Sequence, residues 1–155
     1  MRLSVAAPLA ISMLAMGVVA CGGDDKLSKA DLAKKANAIC KNFDKKIAAV
    51  PRPAGARNPG IAAAYYEQTR PIVDDTVSEL KKLDPEDSVE KDWKTFIDKQ
   101  DELVRLLEDL VQEIKSRDAK AQQTLGQINS GGADASAAAK RIGANSCASS
   151  TSTAS

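Results

Sequence analysis

The chain of 155 residues contains no histidine. That absence excludes di-iron sites of four-helix proteins, which are built on Glu-x-x-His, and every His-dependent catalytic triad. Methionine occurs only at Met1, Met13 and Met16, so nothing beyond them offers a thioether to copper or haem. Cys-x-x-Cys-His is absent, and no cysteine spacing suits zinc. No glycine-rich motif leads into Lys and Ser/Thr to cradle a phosphate; Gly22-Gly23 and Gly131-Gly132 read as flexible punctuation. Aromatic residues are few, at one Trp, two Tyr and two Phe, which leaves a core to Leu, Ile, Val and Ala. Alternating apolar and polar residues, the mark of a half-buried strand, are missing throughout. These gaps predict no cofactor, no metal ligands and no catalytic residues.

What is present begins with an apolar leader. Arg2 gives it a positive start, residues 3–20 are apolar apart from Ser4 and Ser12, and the run closes on Val18-Val19-Ala20-Cys21. This order resembles the lipobox of bacterial lipoproteins. The resemblance implies a palmitate-type diacylglycerol on the Cys21 thiol and cleavage just before it. Residues 1–20 are then a signal peptide and 21–27 a lipidated tether, with Gly22-Gly23 for flexibility. The competing reading is an uncleaved membrane-spanning anchor, against which Pro8 and Gly17 argue. Both place the rest of the chain outside the cytoplasm, on a cell membrane. Without Arg2 the remaining chain has 21 basic and 21 acidic side chains, a balance that gives no argument for nucleic acid.

Three cysteines are an awkward number for an exported protein. If Cys21 carries lipid, Cys40 and Cys147 remain as a pair, and in an oxidising compartment a pair reads as a disulfide rather than two free thiols. Closing so long a loop is worth up to about 4–5 kcal/mol by chain entropy.

Four segments carry helical periodicity, near residues 28–50, 59–83, 87–117 and 119–143. The first opens at Ser28 with Asp31 three residues on, a capping-box arrangement, and Leu32, Ala36, Ile39, Phe43, Ile47 and Val50 share one face. The second starts at Asn58-Pro59, carries Tyr66, Thr69, Val73, Val77 and Leu80 on one side, and is interrupted by Pro71, which predicts a kink or two helices. After a break at Asp84-Pro85, the third has the longest stripe, from Val89, Trp93 and Phe96 through Leu103 and Leu107 to Leu110, Val111 and Ile114. Asp87–Lys91, Asp101–Arg105 and Glu113–Arg117 are spaced to pair on its outer side. The fourth is rich in Ala and suits close helix approach. The pattern predicts an all-α fold, an antiparallel four-helix bundle over residues 28–147 with one disulfide, then a polar tail at 148–155. The layout from Leu27-Ser28-Lys29-Ala30-Asp31 through Ala38-Ile39-Cys40 to Ile142-Gly143 and Cys147 is similar to small, mostly uncharacterised helical lipoproteins of high-GC bacteria.

The acids Asp84, Glu86, Asp87 and Glu90 lack calcium-loop spacing and fall at a helix start, where the dipole favours them. Asp74, Asp75 and Glu79 read as solvated. Tyr66, Trp93 and Phe96, with Tyr65 nearby, are the candidates for a ligand pocket between helices, and core packing is the simpler use for them. Three functions follow. The first is a non-catalytic binding or scaffolding module at the envelope, held to the membrane by lipid on Cys21 and meeting an envelope protein. The second is a small-ligand-binding or sensory domain. The third is a carboxylate-based cell-wall hydrolase, which needs two facing carboxyls. A cavity among the aromatics favours the second.

Overall fold

The computed structural model describes residues 26–54 and 59–150. The expected leader, the lipobox with Cys21, the cap at Asn58 and residues 151–155 lie outside the described residues. Within them the chain is helical: α1 (Lys29–Ala49), α2 (Pro59–Lys81), α3 (Asp87–Ser116), α4 (Ala121–Arg141) and α5 (Asn145–Ser150). No strand occurs among the described residues; a single parallel bridge joins Leu27 to Pro85.

Local chemistry explains most of the boundaries. The Ser28 hydroxyl accepts from the Asp31 amide at 3.2 Å and donates to the Asp31 carboxylate at 2.7 Å. The hydroxyl cap of the expected capping box is therefore present, while the Asp31 carboxylate turns to the Ser28 hydroxyl rather than to its amide. Pro59 opens α2, where its missing N–H has no consequence. Of the two expected outcomes, division into two helices does not occur: α2 runs unbroken through Pro71. Its ring is exposed, so the carbonyl it deprives of a partner lies on a wet turn. Two residues earlier the Thr69 hydroxyl donates to the carbonyls of Tyr65 and Tyr66, at 3.1 and 3.2 Å.

α3 and α4 end in the same way. Asp118 N–H donates to the Glu113 carbonyl and Arg117 N–H to that of Ile114; Ala144 and Gly143 bond to Ala139 and Lys140 in the same pattern. Both ends are Schellman motifs, which need one left-handed residue. At α4 that residue is Gly143, with φ 81°, and a Cβ on it would come within 3.3 Å of the Ala33 methyl. At α3 it is Arg117, with φ 57°.

The helices form a ring. α1 packs on α2, α2 on α3, α3 on α4, α4 on α5, and α5 closes back onto α1. The expected four-helix bundle thus acquires a fifth member. The polar stretch expected to begin at 148 remains helical to Ser150, with Ala148 buried. Cys40 and Cys147 are disulfide-bonded and tie α5 to the middle of α1. Asn37, one turn earlier, donates to the Gly143 carbonyl and accepts from the Ser146 amide. The Ser136 hydroxyl donates to the Ala148 carbonyl from α4.

The main core lies at the end where α1 begins and α4 finishes. Leu32, Leu80, Trp93, Phe96, Ala138, Ala139 and Ile142 meet there around the disulfide. A smaller cluster of Leu106, Leu110 and Ile128 joins the other halves of α3 and α4. Gly131 lets α4 settle on Leu103, since a Cβ there would stand 3.2 Å from its methyl. Antiparallel order follows, because the main core joins the starts of α1 and α3 to the ends of α2 and α4.

The expected pairs on α3 are not formed. Asp87 bonds to Lys26, Asp101 to Lys81 and Arg105 to Asp109. Lys81 reaches Asp101 from α2, Lys26 reaches Asp87 from the segment before α1, and Arg105 pairs within α3 itself. Arg70 similarly joins α2 to Glu108 of α3, and Lys115 of α3 joins Glu67.

Candidate functional site: an apolar cavity between the helices

The two clusters do not fill the ring. Between them lies a cavity of about 640 Å³, a volume typical of small-molecule sites. Its floor is the inner edge of the main core: Cys40, Leu80, Phe96 and Cys147 belong to both. Phe43 and Ile47 of α1, Val73 and Val77 of α2, and Val104 and Leu107 of α3 line its sides, with Ile128 and Gly132 from α4. Five of these, Phe43, Ile47, Val73, Val104 and Leu107, are only half-buried although they face inward.

The cause is a mismatch of side-chain size. Where α4 passes Leu103 and Val104 its buried positions are Ile128, Gly131 and Gly132, then Ala135 and Ser136. Small residues draw α4 onto α3 but leave nothing to reach across to α1. Near Ala138 and Ala139 the gap is taken by α5, which fills the space between α1 and α4 with Ala144, Cys147 and Ala148. α5 is only six residues long, and among the described residues nothing fills the space beyond it. Close-packed interiors rarely tolerate such a void.

Two threonines and several charged side chains of the lining are already engaged. The Thr69 hydroxyl is held by its own helix, and Thr76 donates to the Ile72 carbonyl at 2.7 Å. Arg52, Glu67, Arg70, Asp74, Glu108 and Gln112 stand at the edge. The three acids have basic partners: Glu67 has Lys115, Glu108 has Arg70, and Asp74 has Arg70 at 3.5 Å. Glu113 Oε2 is buried without a hydrogen-bond partner, but Glu113 does not line the cavity.

Of the aromatics singled out in the sequence, Tyr66 and Phe96 line the cavity and Trp93 does not. Trp93 sits one turn nearer the closed end, 5% exposed, its ring centroid 5.5 Å from that of Phe96. It supports the floor from below. Tyr65 lies beside Tyr66, ring centroids 6.4 Å apart, and also reaches the lining. The lining residues Phe43, Ile47, Val73 and Leu107 were legible in the sequence as inward-facing, though as core rather than as the wall of a space.

The other expected sites resolve into structural roles. Glu86 accepts from the Lys29 amide at 3.2 Å and from the Ser88 hydroxyl at 2.8 Å. Asp87 is clasped by Lys26; the hydrogen bond and charge of each hold the Asp87 carboxyl below its ordinary range and the Lys26 amine above its own. Lys99 and Glu102 act on one another in the same sense. Among the described residues no group of three or more Asp, Glu or Cys could hold a metal ion, and no helix is long and apolar enough to cross a membrane. The chain matches no protein-family model, no curated protein and no solved structure.

Proposed function

We propose that this protein is an extracytoplasmic lipoprotein, anchored through Cys21, whose helical domain binds a small apolar or amphipathic molecule in the cavity between its helices. The observation that carries this reading is the cavity of about 640 Å³ walled by Phe43, Ile47, Val73, Val104 and Leu107. Five aliphatic and aromatic side chains left half in water forfeit stabilisation that an apolar guest restores, at about 25 cal/mol for each Å² covered. The polar groups stand at the edge, where a guest's polar end meets water and side chains together. The lipobox-like leader supports the location, since it puts this domain beside a source of amphipathic molecules.

Binding is favoured over the two other functions. Hydrolysis by carboxylates needs an acid free to take or give a proton, and each acid at the cavity edge is engaged by a base. Scaffolding alone gives no reason for an unfilled interior.

Native mass spectrometry of the protein released gently from its own membrane tests the reading. A non-covalent mass that leaves on collisional activation, and is missing from a variant with Val104→Phe and Leu107→Phe, is the expected result. A folded protein that carries no such mass, and gains none when offered membrane extract, contradicts it.

A further inference from the structure

The chain's charge is nearly balanced in total, but it is not balanced in space. α1 carries six lysines against two aspartates, whereas α3 carries nine acids against five bases. The two helices are not neighbours in the ring; α2 stands between them on one side, and α4 with α5 on the other.

Lys34, Lys41 and Lys45 recur at intervals of seven and four, which stacks them in one line along a helix. Lys35 flanks that line. All four are exposed, and Leu32, Ala36 and Cys40 occupy the opposite, buried face. No ion pair among the described residues neutralises any of the four, although ten such pairs occur elsewhere on the surface. Asp31 on the same side is engaged by Ser28. Ala38, also exposed, leaves the line flat between Lys34 and Lys41.

We propose that this lysine line is a docking surface for an anionic lipid bilayer, on which α1 lies lengthwise. Charge and reach both favour that occupant. Each lysine near an anionic bilayer raises surface affinity roughly fivefold, and the gain fades within a Debye length of about 8 Å. An upright α1 would lift Lys45 about 25 Å above its first turn, at 1.5 Å per residue, beyond that range. A flat α1 keeps all four lysines in the anionic layer. Lys26, where the described chain begins, is clasped to Asp87, so the start of α1 is fixed relative to the bundle. The acidic α3 then faces away from the surface, and the α1 wall of the cavity lies next to it.

Amine acetylation of the full chain on vesicles, read residue by residue by peptide mapping, tests the proposal. Vesicles of phosphatidylcholine alone are compared with vesicles containing phosphatidylglycerol. Lys34, Lys35, Lys41 and Lys45 should react several-fold more slowly on the phosphatidylglycerol vesicles, and lose that protection in 1 M salt. Lys94, on α3 and 73% exposed, should react equally on both. A second chain with all four lysines changed to Gln should stay helical and show no composition-dependent protection at Lys46. Equal labelling of the four lysines on both vesicles, or protection of Lys46 persisting in the Gln chain, overturns the proposal.

Discussion

Asn37 grips the turn before α5 from both sides of its amide: Nδ2 donates to the Gly143 carbonyl at 3.0 Å and Oδ1 accepts from the Ser146 amide at 2.7 Å. These backbone groups terminate α4 and begin α5, so one side chain of α1 sets where the fifth helix stands. Asn37→Ala removes both bonds from a partly buried site. It should lower unfolding free energy by about 2 kcal/mol. Asn37→Asp keeps the acceptor and removes the donor, and should fall between Ala and the native chain. Chemical denaturation monitored by helicity measures both.

The disulfide acts beside Asn37 and closes a loop of 107 residues. Replacing Cys40 and Cys147 with Ala should destabilise the domain by about 3–5 kcal/mol, mostly through the freedom regained by the unfolded chain. The same change should raise amide exchange first in α5, because the disulfide is the covalent tie of this short helix to α1. Uniform loosening of all helices, with α5 no different from α2, would argue that the disulfide does not position α5.

Arg117 occupies a left-handed position that Gly143 fills without strain at the end of α4. Arg117→Gly should therefore stabilise the protein by about 0.5–1 kcal/mol, despite glycine's greater freedom when unfolded. Gly143→Ala should do the reverse and cost more, since its methyl also meets Ala33. Thermal melts of the two variants check the opposite signs.

The clasp of Lys26 to Asp87 has a defined pH window. Asp87 is held below its ordinary range, so its contribution is present above the unfolded-state value and is lost as pH falls through the folded one. Lys26 is raised, so its contribution is complete below the unfolded-state value and is lost as pH rises through the folded one. Both groups are exposed, and salt weakens the pair. Hydrogen exchange at the Leu27 and Glu86 amides, which bond to Asp84 and Leu27 across the bridge, should be slow near neutrality. It should quicken in acid, relative to the α3 interior, once Asp87 is protonated.

Much of this fold was legible in the sequence, and the limits have physical causes. The four long helices lie within about two residues of their expected bounds, because apolar spacing, Ser28, Pro59 and Pro85 mark them directly. α5 had no such mark: Asn145-Ser146-Cys147-Ala148-Ser149-Ser150 has no apolar period and is helical because the disulfide and Asn37 hold it. Pro71 does not split α2 because exposure, which sequence does not give, decides how much a lost helical bond matters. Periodicity showed that Phe43, Val73 and Leu107 face inward but not whether their interior is full. The hint available was the run of Ile128, Gly131 and Gly132 opposite them, too small to meet α1.

A titration with a polarity-sensitive fluorescent fatty acid, comparing the native chain with Val73→Phe/Val104→Phe, tests the central claim most directly. Both substitutions project phenyl rings into the space between Phe43 and Leu107. The account predicts saturable binding near one probe per native chain, at least tenfold weaker binding to the variant, and an unchanged or higher melting temperature for the variant. Equal binding by both chains, or none by a natively folded protein stripped of its guest, would contradict it.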